Sequence, residues 1–566
     1  MKTLLKNGTV LNVFTDTLEK ANVLIEDEII VGVGDYDDTE ADSVVDVTGK
    51  YVCPGLIDGH IHIESTMLTP AELARVCLPH GTTSIMADPH EITNVCGSYG
   101  IAYMLEMSHN IPLHVNILLP SCVPATPFDE SGAVLNAESL STFYHHKRVL
   151  GLAEMMNYPG VIFGDPSVIA KLKQCREEGR HIDGHAPLLS GKDLDKYISN
   201  GIYTDHETTS ADEAKERISK GQWVMVREGT AAKNLKDLLP LFEEPWCRRA
   251  ILCADDRHPA DIINEGHIDH IIRLAVKSGI DPVVAIRMAT HQAALCFGLN
   301  NIGAIAPGYN ADILVLDDLN TMAVRDVYSN GALAVKDGVT LPIVDPIPDL
   351  QRNKAVRFSF NMPKLKKVSF MIPEIGKKNC RVIDVLPGSI ITKELIEEID
   401  FDNGKNGIDV DRDILKLAVC ERHQGTRHNG VGYIHGIGLK KGAIASSISH
   451  DSHNLIVIGT NDEDMINVAN YIRKISGGLA VCVDGEIVAS MPLPLAGLMT
   501  DKPAAVIADQ NEKLRQTVKE IGVNEGIEPF MNMAFVSLPV IPSLKMSTQG
   551  LVDVDKFERV DLVVGE

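Results

Sequence analysis

The most constraining stretch of the chain is Val52 to Glu64, V-C-P-G-L-I-D-G-H-I-H-I-E. Pro54 and Gly55 set a turn, Leu56 and Ile57 begin an apolar strand, and Asp58, His60 and His62 come next at every second position. Successive side chains of a strand point to opposite faces, so the spacing predicts that these three project the same way. Two imidazoles on one face at a strand's end can grip one metal ion. Taken alone, His-x-His also marks ordinary half-exposed strands, so a metal site requires further ligands downstream in the chain.

The surroundings are those of a large globular protein. At 566 residues the chain exceeds one hydrophobic core and divides into several domains. A formal charge of −24 argues against a polyanionic partner, since no basic patch is available to exchange for counterions. The first residues lack the continuous apolar core of a signal peptide, and no later segment reaches the ~18 apolar residues of a membrane span. Eleven cysteines are scattered singly with no C-x-x-C pair, as expected of reduced thiols. Together these predict a cytoplasmic protein that acts on a small molecule, with neither nucleic acid nor membrane as a partner.

Along the chain, residues 1–51 are short β-branched runs with Asn7-Gly8 and Gly32 at turns, which predicts a small antiparallel sheet. It needs a partner, found at 307–317 and 324–338, so 1–51 with 301–345 read as a split β-sandwich. Residues 52–300 alternate apolar runs with helix-length segments and match the size of a (β/α)8 barrel, closed by a helix from Asp281 to Gly298. A linker rich in Pro and Asp comes after Leu341. Residues 350–566 form a further α+β domain, with strand-like runs at 368–372, 443–448 and 455–458 and helix-like ones at 414–422 and 464–475.

In a barrel of this kind functional groups gather where strands end. Polar residues that directly succeed apolar runs are Asp88, His90 and Glu91; Glu154; His185, before Ala186 and Pro187; His206; Arg227 and Glu228; and Asp255 with Asp256. Added to His60 and His62, this set of histidines and carboxylates is a far stronger metal signal than any one member. The S-H-D-S-H-N stretch from Ser449 to Asn454 lies between two β-like runs and reads as a hairpin turn, yet carries more imidazole and carboxylate than a turn requires. It is expected to reach across the barrel mouth and contribute His450, Asp451 or His453.

The pattern P-G-x-I-D-x-H-x-H resembles the first barrel strand of the amidohydrolase superfamily. G-L-A-E-M-M-N-Y-P-G-V around Glu154, A-D-P-H-E-I-T-N-V-C-G at 87–97 and C-A-D-D-R-H-P at 253–259 are similar to the bacterial and archaeal adenine deaminase family. So are 436–454 and 537–551, within the C-terminal part. The resemblance implies a (β/α)8 barrel with a split β-sandwich and an extra C-terminal domain. It also implies hydrolysis of adenine to hypoxanthine and ammonia in purine salvage, with manganese or iron in a binuclear centre, and a homodimer or homotetramer.

On that footing His60, His62 and Asp255 are expected to hold one metal and His185 and His206 a second. Glu154 bridges where many relatives carry a modified lysine. A divalent metal lowers the pKa of bound water, and Asp255 is placed to accept that water's proton and return it to the departing amine. Asp256 either holds a ring nitrogen or caps the next helix. Asp88, His90 and Glu91 are candidates for substrate or an additional metal, with Asp88 on the metal side, and Arg227 for substrate. The runner-up is an amidohydrolase acting on another heterocycle, a cyclic amide hydrolase or another base deaminase. The zinc deaminases that use H-x-E and P-C-x-x-C are excluded: His62-Ile63-Glu64 supplies the first half, but no P-C-x-x-C is present after it.

Overall fold

The computed structural model describes residues 1–565; Glu566, the last residue of the expected C-terminal domain, lies outside them. The chain opens with β1 (Lys2–Asn12), β2 (Thr17–Glu26), β3 (Ile29–Gly34), β4 (Ser43–Asp46) and β5 (Tyr51–Pro54). β1 to β3 form an antiparallel meander, but β4 and β5 run parallel to β1, so this piece is mixed rather than wholly antiparallel. The reason is the connection after β3: residues 35–42, with a helical turn capped by Asp37, are too long for a hairpin and bring β4 in alongside β1.

Eight strands come next: β6 (Leu56–Ile61), β7 (Thr82–Ala87), β8 (His114–Leu119), β9 (Val149–Met155), β10 (His181–Gly184), β11 (Thr204–Asp205), β12 (Trp223–Arg227) and β13 (Ala250–Cys253). Each pairs in parallel with its neighbours within two sheets, β6 to β10 and β11 to β13. The sheets meet at both edges. Tyr203 N–H donates to Ile182 O at 3.3 Å, Asp255 N–H to His60 O at 2.8 Å, and Ile61 bridges Asp255. With helices between the strands, the arrangement fits a TIM-type barrel. Ile57, Met86, Leu118, Ala153, Met225, Ile251 and Cys253 pack on one another in one cluster. Ala293, Ala294, Cys296, Phe297 and Ile302 complete that cluster.

Two expectations for this region are corrected. The closing helix is broken into Pro282–Met288 and His291–Cys296, because Ala289 O accepts from Ile57 N–H of β6 instead of an amide further along the helix. Asp58 does not face the same way as the histidines. The register of β6 on β7 shifts between Asp58 and Ile61, and this bulge takes Asp58 out of phase with His60. Its carboxylate accepts from His60 N–H and Ala254 N–H, and lies 3.1 Å from His267 Nε2. Gly59 sits in the bulge, where a Cβ would come 2.8 Å from Ile251 Cδ1 and 3.0 Å from Leu252 O.

After the barrel, β14 (Ile313–Leu316), β15 (Val324–Ser329), β16 (Ala332–Lys336) and β17 (Val339–Thr340) return to the first sheet through the pairing of β14 with β5, making nine strands in all. The C-terminal part is built on an eight-stranded sheet in the order β19-β18-β21-β20-β23-β22-β24-β25. These strands are β18 (Lys377–Val385), β19 (Thr392–Asp400), β20 (Leu415–Cys420), β21 (Asn429–His435), β22 (Ala443–Ser446), β23 (Leu455–Gly459), β24 (Gly478–Val483) and β25 (Glu486–Pro492). Alternate residues serve its two faces. Leu417, Ile444, Ile456 and Val481 pack under helix Ala504–Ile521, and Ala418, Ala445, Val457 and Cys482 under helix Asp462–Lys474.

Two runs of this part differ from expectation. Residues 414–422 hold strand β20 rather than a helix, because a strand covered on both faces is apolar throughout and shows no alternation. Residues 368–372 lie in and after a short 3-10 turn, Lys367–Phe370, in which only Phe370 is buried; Pro373 stops any extension. A three-stranded sheet, β26 (Leu544–Ser547), β27 (Gly550–Asp553) and β28 (Glu558–Val560), completes the described chain. Among the described residues no helix is long and apolar enough to cross a membrane.

Candidate active site

Buried imidazoles and carboxylates converge at the ends of β6, β9, β10, β11 and β13. Glu154 stands at the middle. Its Oε1 lies 3.3 Å from His62 Nε2 and 3.9 Å from His60 Nε2, while its Oε2 lies 2.8 Å from His185 Nδ1 and 3.2 Å from His206 Nε2. One carboxylate thus presents an oxygen to each of two histidine pairs. Asp255 closes the first pair, with Oδ1 3.2 Å from His62 Nε2. It is held there by its backbone bond to His60 and adopts a positive φ of 56°.

Donors and acceptors in the first pair match only when positive charge is added at the facing Nε2 atoms. His60 Nδ1 meets Asp183 Oδ2 at 2.8 Å and His62 Nδ1 meets the carbonyl of Asp88 at 3.2 Å. Those partners only accept, so both Nδ1 atoms carry protons. Each Nε2 either gives a lone pair to a cation or takes a proton in the cation's place, as on His62, which against its burial is raised well above the ordinary histidine range by Asp255 and Glu154. Yet the two Nε2 atoms are 3.1 Å apart and face Glu154 and Asp255. Four lone-pair donors on one point is the signature of a cation site, and these N and O types suit a divalent ion. The same sets, His60–His62–Asp255, His60–Glu154–His206 and His185–His206–Glu207, have ligand atoms close enough to share an ion.

The electrostatics agree. Burial alone would push Glu154 and Asp255 up, but His185, His206 and His62 around the one and Arg227 beside the other hold both well below the usual carboxylate range. Burial likewise opposes charge on His206, yet Glu154, Asp255 and Glu207 raise it to about 10. The cluster's excess of negative charge draws positive charge inward, as protons or as a cation.

Arg227, at the end of β12, donates from Nη1 to Glu207 Oε1 at 2.5 Å and to Asp255 Oδ2. Glu207, which the sequence pattern does not single out, is lowered to about 2 as Arg227, His185 and His206 outweigh its burial. Glu228 points elsewhere and accepts from Leu235 N–H. Asp88 holds the next position: its Oδ2 meets His90 Nδ1 at 2.9 Å, and His90 Nε2 faces Asp451 Oδ1 of the C-terminal part at 3.6 Å. Between those carboxylates His90 is raised well above the ordinary histidine range despite its burial.

A cavity of about 30 Å³ lies among these groups. Its floor includes His62, His90, Glu154, Arg227, Asp255 and Asp256; its apolar cover, Ile390, Phe535, Leu538 and Ile541, comes from the C-terminal part. The loop between β22 and β23 brings His450 and Asp451 to the same cavity, whereas His453 lies behind it, 3.6 Å from Glu91 Oε2. Asp256 does not cap the following helix, whose N-cap is His258; its Oδ1 meets Ser65 Oγ at 2.5 Å. Asp183 and Ser65 also escape the sequence pattern, although Asp183 stands two residues before His185 and Glu207 directly after His206.

A parallel barrel with this cluster at the ends of its strands defines an amidohydrolase, and residues 51–334 match the amidohydrolase family. Residues 389–558 match the adenine deaminase C-terminal domain. "Adenine deaminase 2" of Carboxydothermus hydrogenoformans is 47% identical over 98% of this chain and 96% of its own length, and the adenine deaminase of Desulfatibacillum aliphaticivorans 43% over 99% and 96%. The chain belongs to the adenine deaminase family. Dihydropyrimidinase from Brevibacillus agri, a solved structure, aligns at 17% identity over 60% of this chain and 96% of that one, with a TM-score of 0.48.

Proposed function

We propose that the chain hydrolyses adenine to hypoxanthine and ammonia in purine salvage, at a binuclear site held by His60, His62 and Asp255 on one side and His185 and His206 on the other, with Glu154 between. The observation that carries the site is the two-sided Glu154 together with the facing Nε2 atoms of His60 and His62. When bound, a divalent ion there lowers the pKa of water toward neutrality; manganese and iron are the ions we expect. Asp88 meets His90 Nδ1, and with His62, His90 and Glu154 it forms a further group whose ligand atoms lie close enough to share an ion, so we keep it as a ligand for an additional metal.

The chain's own groups do the rest. Asp255, with Oδ2 fixed by Arg227 and Oδ1 turned to the His60–His62 pair, has a second lone pair on Oδ1 to take the proton of the attacking water and pass it to the leaving amine. Arg227 keeps that carboxylate ionised and in place. His90, charged between Asp88 and Asp451, has its Nδ1–H on Asp88 and offers the N–H of Nε2 on the purine side. Asp256 accepts from a purine N–H. Ile390, Phe535, Leu538 and Ile541 cover the flat ring and exclude bulk water; with about 30 Å³ beneath them, they have to lift for a purine to enter.

We further read 1–51 with 301–345 as a split β-sandwich, 52–300 as the catalytic barrel, and 350–566 as an α+β domain that roofs the site. Eleven free cysteines, ten of them buried, suit a cytoplasmic protein, and a homodimer or homotetramer is the assembly we expect from the common symmetry of such enzymes. The deciding experiment is ammonia release from adenine, adenosine, cytosine, guanine and dihydroorotate by protein purified with manganese. Turnover confined to adenine is the expected result. Activity on dihydroorotate or cytosine with none on adenine would overturn the substrate while keeping the barrel and its ligands.

A further inference from the structure

Behind Asp256 lies a second buried group of carboxylates and imidazoles, at the seam between the barrel and the loop joining β22 to β23. Glu91, Ser65 and His453 are 1%, 5% and 0% exposed. Glu91 Oε1 is 2.6 Å from Ser65 Oγ, and that hydroxyl is 2.5 Å from Asp256 Oδ1. Glu91 Oε2 faces His453 Nε2 at 3.6 Å, and His453 Nδ1 takes a hydrogen bond from Ser449 N–H at 3.3 Å.

The polarity of these contacts is determined from one end. A backbone N–H only donates, so His453 Nδ1 accepts. The neutral ring, kept neutral by burial and by His450 and Arg422 nearby, then carries its proton on Nε2, toward Glu91. Such a ring has no lone pair to give there, which argues against a metal shared by Glu91, His450 and His453 although their atoms lie close together. At the other end, Ser65 has one proton and two short carboxyl contacts. One of the two carboxyls therefore has to donate to it. Glu91 is fully enclosed, and among the described residues no Lys or Arg pairs with it; burial raises it well above the carboxylate range. Asp256 borders the cavity, where it remains partly exposed.

We propose that Glu91, as the donor to Ser65, and Ser65 form a one-way hydrogen-bond chain that ends on Asp256 and fixes this carboxylate as the acceptor for a purine N–H, while His453, its Nδ1 tied to Ser449 N–H, faces Glu91 from 3.6 Å and orients it. The chain runs Oε1–H of Glu91 to Oγ of Ser65 and Oγ–H of Ser65 to Oδ1 of Asp256; Nε2–H of His453 points at Oε2 of Glu91 from beyond hydrogen-bond reach. It rests on the adenine reading, and it makes the C-terminal domain part of substrate recognition rather than a cover alone. Ser65, Glu91 and His453 are positioning residues here, acting through Asp256.

The test compares Ser65→Ala, Glu91→Ala and Glu91→Gln in metal-loaded protein. Losing a hydrogen bond to a charged acceptor predicts that Ser65→Ala and Glu91→Ala raise KM for adenine about tenfold, with kcat within about threefold. Glu91→Gln offers an amide N–H to Ser65 and a carbonyl to His453, as the neutral acid does, and is expected to keep KM within about threefold of wild type. Equal losses in Glu91→Gln and Glu91→Ala, or an unchanged KM in Ser65→Ala, would overturn the chain. Infrared difference spectra of wild type against Glu91→Gln at pH 8 supply a readout free of turnover. A protonated-carboxyl band that vanishes in the variant is expected, and its absence from wild type overturns the proposal. Failure of the wild type to release ammonia from adenine would instead defeat the substrate reading, leaving the infrared result to judge the chain.

Discussion

The Glu154 cluster and the Glu91 cluster are built from the same residue types, both buried and both lining the mouth of one barrel, and they do opposite things. Around Glu154, the Nδ1 atoms of His60 and His62 are tied to Asp183 and to the carbonyl of Asp88, so each Nε2 points inward, to a cation or a proton in its place. Around Glu91, a backbone N–H occupies His453 Nδ1 and the ring turns a proton inward. The first arrangement calls for a cation and the second for a string of hydrogen bonds. What separates them is the partner on the far ring nitrogen, which residue type and proximity do not reveal.

The sharpest way to break this comparison is through metal content. Glu154→Gln removes the charge shared by both histidine pairs and is expected to lower kcat by roughly 10³-fold or more. Elemental analysis should show bound metal falling with it, while Glu91→Ala and His453→Ala retain the wild-type content. If Glu91→Ala lost metal as Glu154→Gln does, the two clusters would be one centre and the distinction would fail. Arg227→Met comes next. It leaves Glu207 and Asp255 buried without the guanidinium that joins them, and breaking such a buried pair costs about 3–5 kcal/mol. Denaturant unfolding of the metal-loaded variant measures it; a loss under about 1 kcal/mol would mean that solvent, not Arg227, keeps those charges ionised.

How much of this was readable in the sequence is decided by the same physics. His60, His62, Glu154, His185, His206 and Asp255 were legible because each adjoins an apolar run, and a barrel collects such positions at one end. Asp183 and Glu207 obey the same rule one or two residues away, but a carboxylate beside a histidine is unremarkable until its geometry is known. The displacement of Asp58 depends on a bulge at Gly59 that a period-two pattern cannot register. The run 414–422, expected as a helix, shows the complementary limit: a strand buried on both faces lacks the alternation that would mark it. The polarity of the Glu91 chain is set by Ser449 N–H, a backbone group with no sequence signal at all.

A single buried charge with no charged partner tests the energetics behind both clusters. Lys545 is fully buried, makes a hydrogen bond from Nζ to Ile390 O at 3.0 Å, and is pushed down to about 7 by burial. In the unfolded chain it titrates near its ordinary value of 10.5, so between about pH 7 and 10.5 the unfolded state binds more protons and stability rises with pH. Relative to Lys545→Met, wild type is expected to be less stable by about 2 kcal/mol near pH 7, after discounting the lost bond to Ile390, with the gap closing toward pH 10. Urea midpoints of the two proteins at pH 7, 8.5 and 10 check the sign. A gap that widens with pH would show that Lys545 is stabilised as a cation, and would weaken the parallel inference that burial keeps Glu91 neutral.

The smallest expected effect falls on His453, the member of the Glu91 chain furthest from the substrate. Its contact to Glu91 is 3.6 Å, longer than a good hydrogen bond, so it orients the carboxyl rather than binding it tightly. His453→Ala should therefore raise KM for adenine about threefold, less than Ser65→Ala, and leave kcat and metal content unchanged. His453→Gln, which can still offer N–H to Glu91, should recover most of that loss. Steady-state kinetics on adenine decide between a graded chain and a rigid one: a His453→Ala defect as large as that of Ser65→Ala would mean the loop holds Glu91 directly. No change at all would confine the recognition chain to the barrel and leave the loop between β22 and β23 only Asp451 and His450 as its contribution to the site.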